Sequence, residues 1–332
     1  MNRRLIALGL GLLAAPLTAT AQGRGEQVSY PGRFNWSFLR RYPEAARLFN
    51  AFDYGHAVLY ETLWTRPDAP PGQLEDREFS FLTQDLLRRP PRFAIAELAI
   101  EPSYGRVAWR AVLMFDWAHM LHRQIYDAYA DERIAPAVKD SLIERLTDYY
   151  LSNRPAAFTD RPKEMHLMEE QGFSTAFRRR YPKFNGLIWA YHWLQVGLYQ
   201  PLIEEETPEA RREGVRATLG RFWAMLEAPP AAMPQVMPMT PSVAPSFSTR
   251  HPRAAVIFDN LHMMHDIISD ILVSPKVPRA EKGKAIEQAL DEFRDGSRNV
   301  MSLEDWRMMG EMMGGVKRMG GVAGRQGLQP NH

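Results

Sequence analysis

Cysteine is absent from all 332 residues of this chain. Its absence excludes disulfides, thiolate metal sites, thiol catalysis and c-type haem attachment. Any metal must be held by His, carboxylate, Met or backbone oxygen. A charge excess is missing too: 41 Lys and Arg face 39 Asp and Glu. That balance argues against a dedicated nucleic-acid binder, which carries a basic surplus. No Gly-rich phosphate loop, nucleophile elbow or His-Glu-x-x-His motif occurs. Strand signals are scarce, and only Phe93 to Ile100 alternates convincingly.

Long apolar runs are few. One, Leu5 to Leu17, follows Asn2-Arg3-Arg4 and precedes the A-x-A signal Ala19-Thr20-Ala21. This is the pattern of a secretory signal peptide over residues 1–21. The mature chain is expected to start at Gln22, in the periplasm or outside the cell. An uncleaved anchor is the alternative. A second run, Phe184 to Ile203, contains no Asp, Glu, Lys or Arg. It carries Asn185, His192, Gln195, Gln200 and Pro201, and so reads as a buried central helix rather than a membrane span.

The chain repeats itself. Phe38-Leu-Arg-Arg-Tyr-Pro43 recurs as Phe177-Arg-Arg-Arg-Tyr-Pro182, displaced by 139 residues. The same displacement matches Leu59, Tyr60 and Leu63 to Leu198, Tyr199 and Leu202, and Pro102-Ser103 to Pro241-Ser242. A four-residue insertion then raises the displacement to 143. At that offset Phe115-Asp-Trp-Ala-His-Met-Leu-His122 matches Phe258-Asp-Asn-Leu-His-Met-Met-His265. Lys139, Ile143, Glu144 and Asp148 match Lys282, Ile286, Glu287 and Asp291. A collinear series of this length points to internal duplication. The expected organisation is one helical half over 34–153, a bridge over 154–172, and a second half over 173–300. A C-terminal helix and a flexible Gly-rich tail follow, over 301–332.

Each half reads as four helices. Those of the first half span Glu44–Trp64, Asp76–Arg88, Ser103–Ala130 and Pro136–Leu151. Those of the second span Pro182–Leu202, Pro208–Leu226, Pro252–Leu272 and Arg279–Arg294. Residues 228–252 hold seven Pro and read as a long loop. The fold class is therefore all-α, a bundle of two similar halves about a pseudo-two-fold axis.

Nine His would say little as a count, but six fall in these helices: His56, His119, His122, His192, His262 and His265. Asp116, His119 and His122 follow i, i+3, i+6 spacing, which keeps them within roughly 120° of one helix face. Asp259, His262 and His265 reproduce the pattern. Asp53 and His56 add another Asp-x-x-His, and the repeat pairs Asp53 with His192. A metal needs several lone-pair donors converging within about 2–2.5 Å, and bundles supply them from facing helices. The expected ligands are Asp116, His119, His122, Asp259, His262 and His265, with His56, His192 and Asp53 as ligands or supports. Asp127 and Asp270 are candidate proton acceptors. Imidazole plus carboxylate suits Fe, Mn, Zn or Cu; a b-type haem fits the repeated aspartates less well.

The expected function is an exported metalloprotein with a mono- or dinuclear site between the halves, open to oxidoreductase chemistry on a small molecule. Two other classes stay open. Met233, Met237, Met239 and the methionines from Met308 to Met319 would suit copper handling. Buried His–Asp pairs would suit a structural or partner-binding protein. Arg40, Arg41, Arg178, Arg179 and Arg180 form a repeated basic cluster that could meet a membrane surface or a protein. His166, with Glu169 and Glu170, lies on the bridge and could cap the site.

Overall fold

A computed structural model describes residues 36–321. The expected leader, the start of the mature chain and the tail beyond 321 lie outside the described residues. Within them the chain is all-helical, with no strand and an isolated bridge between Lys163 and Val300. The long helices are α1 (Pro43–Thr65), α2 (Trp109–Ala130), α3 (Pro136–Ser152), α4 (Pro182–Gly197), α5 (Pro208–Met225), α6 (Pro252–Val273) and α7 (Lys282–Arg294). No helix among the described residues is long and apolar enough to cross a membrane.

Proline starts most of these helices. Pro43, Pro136, Pro182, Pro208 and Pro252 sit in the first turn, where a missing N–H costs nothing. Thr207 also caps α5, its hydroxyl accepting from Ala210 N–H. Two helices are apolar nearly all round and are accordingly central. Every residue of α6 from Ala254 to Val273 is buried, as is every residue of α4 from Phe184 to Gly197. The uncharged run thus forms core, and it breaks after Gly197. Pro201 has no N–H to give Gly197, so the next helix starts afresh at Tyr199–Glu204. Helix α6 packs against α1 and α2, and α4 packs against α1.

Other expected elements differ too. The helix expected over Asp76–Arg88 starts earlier, as Pro71–Ser80, and continues in a wider helical turn over Phe81–Leu86. The alternating run at 93–100 is not a strand. It ends in a tight turn, Glu97–Ala99, with Phe93, Ile95 and Leu98 exposed and no neighbouring strand to pair with. The helix expected from Ser103 is split into Pro102–Gly105 and α2, because Ala108 leaves helical geometry at φ −137°, ψ 45°. The Pro-rich stretch holds two short helices, Thr240–Val243 and Pro245–Arg250, each with Pro in its first turn.

Hydrogen bonds recur at the sequence displacement. Phe38 N–H donates to Asp127 Oδ1 at 3.0 Å, and Phe177 N–H to Asp270 Oδ1 at 2.7 Å. Trp36 and Thr175 both adopt left-handed backbone just before, at φ 55° and 63°. Ser103 N–H donates to Glu61 and Ser246 N–H to Gln200, which aligns Ser103 with Ser246 rather than Ser242. Ion pairs cross over. Arg110 bonds Glu287 and Asp291, while Arg253 bonds Asp148 and lies 3.5 Å from Glu144. Tyr60 OH donates to His265 O at 3.2 Å, and Tyr199 OH to His122 O at 3.5 Å.

Asp127 and Asp270 thus cap the segments that lead into α1 and α4. Replacing either with Ala leaves a buried Phe N–H unpaired. Asp127→Ala and Asp270→Ala are each expected to cost about 1–2 kcal/mol of stability in urea unfolding.

Candidate metal centre

Six imidazoles meet in the core. His56 comes from α1, His119 and His122 from α2, His192 from α4, and His262 and His265 from α6; each is 0 % exposed. Their rings form a contiguous file. His119 lies 5.8 Å from His265, His265 4.3 Å from His56, and His56 5.2 Å from His192. His192 lies 4.0 Å from His262, which lies 6.2 Å from His122. The spacing His119–His265 and its displaced counterpart His122–His262 differ by only a few tenths of an ångström.

The ring nitrogens are unevenly satisfied. His56 Nδ1 lies 2.7 Å from Phe52 O. A carbonyl only accepts, so Nδ1 carries the proton and Nε2 the lone pair. That lone pair faces His192 Nε2 at 3.2 Å. Two nitrogens bonded at about 2.0–2.1 Å to one tetrahedral ion lie about 3.3 Å apart, close to this spacing. His119 Nδ1 lies 3.1 Å from Glu97 Oε1 and 3.4 Å from Asp53 Oδ1. His122 Nδ1 lies 2.8 Å from Tyr199 OH. An oxygen partner on one ring nitrogen, with the other left open, is the arrangement found around metal-binding histidines.

The open nitrogens are many. His119 Nε2, His122 Nε2, His192 Nδ1 and both nitrogens of His262 and His265 are buried without a hydrogen-bond partner. Asp53 Oδ1 and Glu97 Oε2 are in the same state. Two groups bring their ligand atoms within 4.8 Å of one another: His56, His192 and His265, and Asp53, Glu97 and His119. Asp53 also carries the outer contact of the second group, since its Oδ2 accepts from Arg123.

Burial controls protonation. It pushes the imidazole of His56 down to about 4, with His119 as the next cause. Burial holds His122, His192, His262 and His265 well below the usual imidazole range, helped by neighbouring imidazoles, and it lowers His119. All six are therefore neutral near pH 7, the state that donates to a metal. Burial raises the carboxyl of Glu97 well above its usual range, with Asp116 and Asp53 adding to the rise.

Five predicted carboxylates fall in different places. Asp53 joins the centre. Asp259 turns away, accepting from Thr240 N–H, Thr240 OH and Trp306 Nε1–H. Asp116 is half-buried and accepts the backbone N–H of Glu97. Both are three residues before a His. Three residues turn a helix by about 300°, so the carboxylate leaves at about 60° to the imidazole and meets the flanking turn instead. Asp127 and Asp270 are the caps described above. Glu97, by contrast, is a centre residue that the sequence pattern hid. It lies in the alternating run at 93–100 that imitates a strand, so nothing in the pattern pointed to a centre residue.

Other candidates lie elsewhere. His166 pairs with Glu164 at 3.0 Å near the surface. Arg41 pairs with Glu132 and Arg178 with Glu169, while Arg179 and Arg180 meet backbone oxygens and Arg40 meets Ser37. Met233, Met237, Met239 and Met319 pack in the hydrophobic core. No known family model matches the chain, and neither curated proteins nor solved structures provide a match.

The lowered imidazoles oppose acid in the metal-free protein. The unfolded chain takes up protons on them below about pH 6.5 and the fold resists, so their contribution to stability is whole above that value and is lost as pH falls. Each imidazole removes up to about 1.4 kcal/mol per pH unit. The carboxyls that burial raises, Glu97, Glu101, Asp259 and Asp266, act in the opposite direction, because the fold holds their protons where the unfolded chain releases them. In urea unfolding of chelated protein, His262→Phe should lose less stability between about pH 6.5 and 5.5 than the parent chain, by up to about 1.4 kcal/mol. An identical loss would mean that water reaches the ring.

Proposed function

We propose that this chain is an exported helical metalloprotein whose core holds a dinuclear centre. His56, His192 and His265 hold one ion. Asp53, Glu97 and His119 hold the other, and His122 and His262 adjoin them. The observation that carries this reading is the set of seven buried ring nitrogens without partners. At about 1–3 kcal/mol for each orphaned group, they would cost as much as the roughly 5–15 kcal/mol that stabilises a whole domain. Ions that accept the lone pairs of the ligating rings offset part of that cost.

The donor sets are unlike. Three imidazoles suit Zn or Cu; one imidazole with two carboxylates suits Fe or Mn. Such a centre would supply Lewis acidity and lower the pKa of a bound water. The chain's own residues orient the imidazoles of His56 and His122 through Phe52 O and Tyr199 OH and exclude solvent from the file.

We also read the two halves as products of duplication. The crossed pairs support this: Arg110 meets the Glu287 and Asp291 that match Glu144 and Asp148, and Arg253 meets Glu144 and Asp148 themselves. In an isologous interface residue i meets j′ and i′ meets j.

Elemental analysis of the purified full chain, with an optical spectrum, tests the metal reading. About two ions per chain are expected, falling to about one in His265→Ala and in His119→Ala. Asp259→Ala should keep both ions and lose stability alone. A colourless protein that takes up no added metal, and whose unfolding ignores chelators, would overturn the reading.

A further inference from the structure

Beside Asp53 a pocket opens towards the surface, walled by Phe38, Phe49, Ala94, Met120, Tyr126 and Arg123. Its walls are largely aromatic. Phe38 stacks on Tyr126 at 4.6 Å, and Phe49 meets Tyr126 edge-on at 5.6 Å. Phe49 is also the partition between the pocket and the histidine file. Its ring centre lies 5.8 Å from His119 and 5.5 Å from His122.

Arg123 is the main polar group in this lining that is not fully spent. Its guanidinium lies over the Phe49 ring at 4.8 Å. Its hydrogen bonds to Asn50 Oδ1 and Asp53 Oδ2 both come from Nη2. The Nε–Nη1 edge is therefore left for something else, and the side chain keeps 18 % exposure. Asp127 also lines the pocket, but its Oδ1 holds Phe38 N–H. Arg92 adds a second positive charge at the rim. A guanidinium edge matches a carboxylate with two parallel hydrogen bonds. Apolar walls around it strengthen that attraction by excluding water.

We propose that this pocket binds a small aromatic carboxylate through Arg123, and that Asp53 couples its occupancy to the metal centre. The coupling rests on the metal reading above. Asp53 has two roles on its two oxygens: Oδ2 meets Arg123, and the unpartnered Oδ1 lies 3.4 Å from His119 Nδ1. A cation on the centre draws the charge of Asp53 inward. Arg123 is then less neutralised and holds an anion more tightly. Reciprocity requires that the bound anion tighten the cation by the same factor. The ring of the ligand lies among Phe38, Phe49 and Tyr126, which places it one aromatic layer from the centre.

Calorimetric titration of benzoate into the zinc-loaded full chain tests this, with benzyl alcohol as the neutral control and zinc content measured on the same sample. Saturable one-to-one binding of benzoate is expected, with benzyl alcohol at least tenfold weaker. Arg123→Met should weaken benzoate at least tenfold. Ala94→Trp, which fills the pocket and leaves the Arg123–Asp53 pair intact, should abolish binding. Chelation should weaken benzoate as well. No saturation, equal binding of benzyl alcohol, or unchanged affinity in Arg123→Met with zinc retained would overturn the pocket assignment and leave the metal reading standing. Binding that is indifferent to chelation would overturn the coupling. A chain that takes up no zinc yet binds benzoate through Arg123 would overturn the metal reading and the coupling together.

Discussion

Six neutral imidazoles share one buried core, and the rest of the molecule is arranged around the cost of keeping them there. Each ring brings one lone pair and one N–H, and both are taken out of bulk water. Three rings have a nitrogen near a fixed oxygen: Phe52 O, a Glu97 carboxylate oxygen and Tyr199 OH. The others are held by stacking, His192 on His262 at 4.0 Å and His265 on His56 at 4.3 Å. Stacking orients a ring but leaves its nitrogens unsatisfied. The fold therefore spends its hydrogen bonds on the edges of the file and leaves the middle to whatever accepts nitrogen lone pairs.

A duplication of the kind we propose would make such a core easy to build and hard to keep uniform. On our reading of the repeat, His119 and His122 match His262 and His265, and the pairs His119–His265 and His122–His262 face each other across the axis. The substitutions fall next to them. Asp53 stands where the second half has His192, His56 where it has Gln195, and Glu97 where it has Thr240. Carboxylates thus collect in the earlier part of the chain, while the imidazoles divide equally, His56, His119 and His122 against His192, His262 and His265. Glu101, buried with both oxygens unpartnered, adds to the acidic side; burial raises its carboxyl well above the usual range, with Glu97 as the next cause. Residues between 36 and 127 carry this acid-rich surround and line the pocket beside it.

Much of this was legible in the sequence because periodicity and repetition report on backbone and burial. Pro in the first turn marked where α1, α3, α4, α5 and α6 begin. The Asp-x-x-His-x-x-His repeat marked the two helices that carry four of the six imidazoles. Asp53, His56 and His192 followed from the repeat. What stayed hidden depends on side-chain direction and on segments without a period. Asp116 and Asp259 share a helix face with the histidines but leave it at an angle that serves the turns at Glu97 and Thr240. Asp127 and Asp270 share that face too, yet they cap the chain entering α1 and α4. Glu97 sits in an apolar alternating run that imitates a strand. Its role needed the fold to bring residue 97 against residue 119.

Asp53 shows why the centre and its surroundings cannot be treated apart. One oxygen faces His119 without a partner, and the other is bound by Arg123, which is held over Phe49. A carboxylate in this position is paired with the arginine through one oxygen and left open towards the imidazoles through the other. If Asp53 were only the ion-pair partner of Arg123, its Oδ1 would be buried for no return, at a cost of about 1–3 kcal/mol. If it were only a ligand, the arginine would be an unexplained charge in an aromatic wall. Both oxygens are accounted for when Asp53 stands between a cation in the core and a guanidinium at the pocket. The same two-sided residue then fixes the order of the layers: solvent, aromatic pocket, arginine, carboxylate, and the imidazole file.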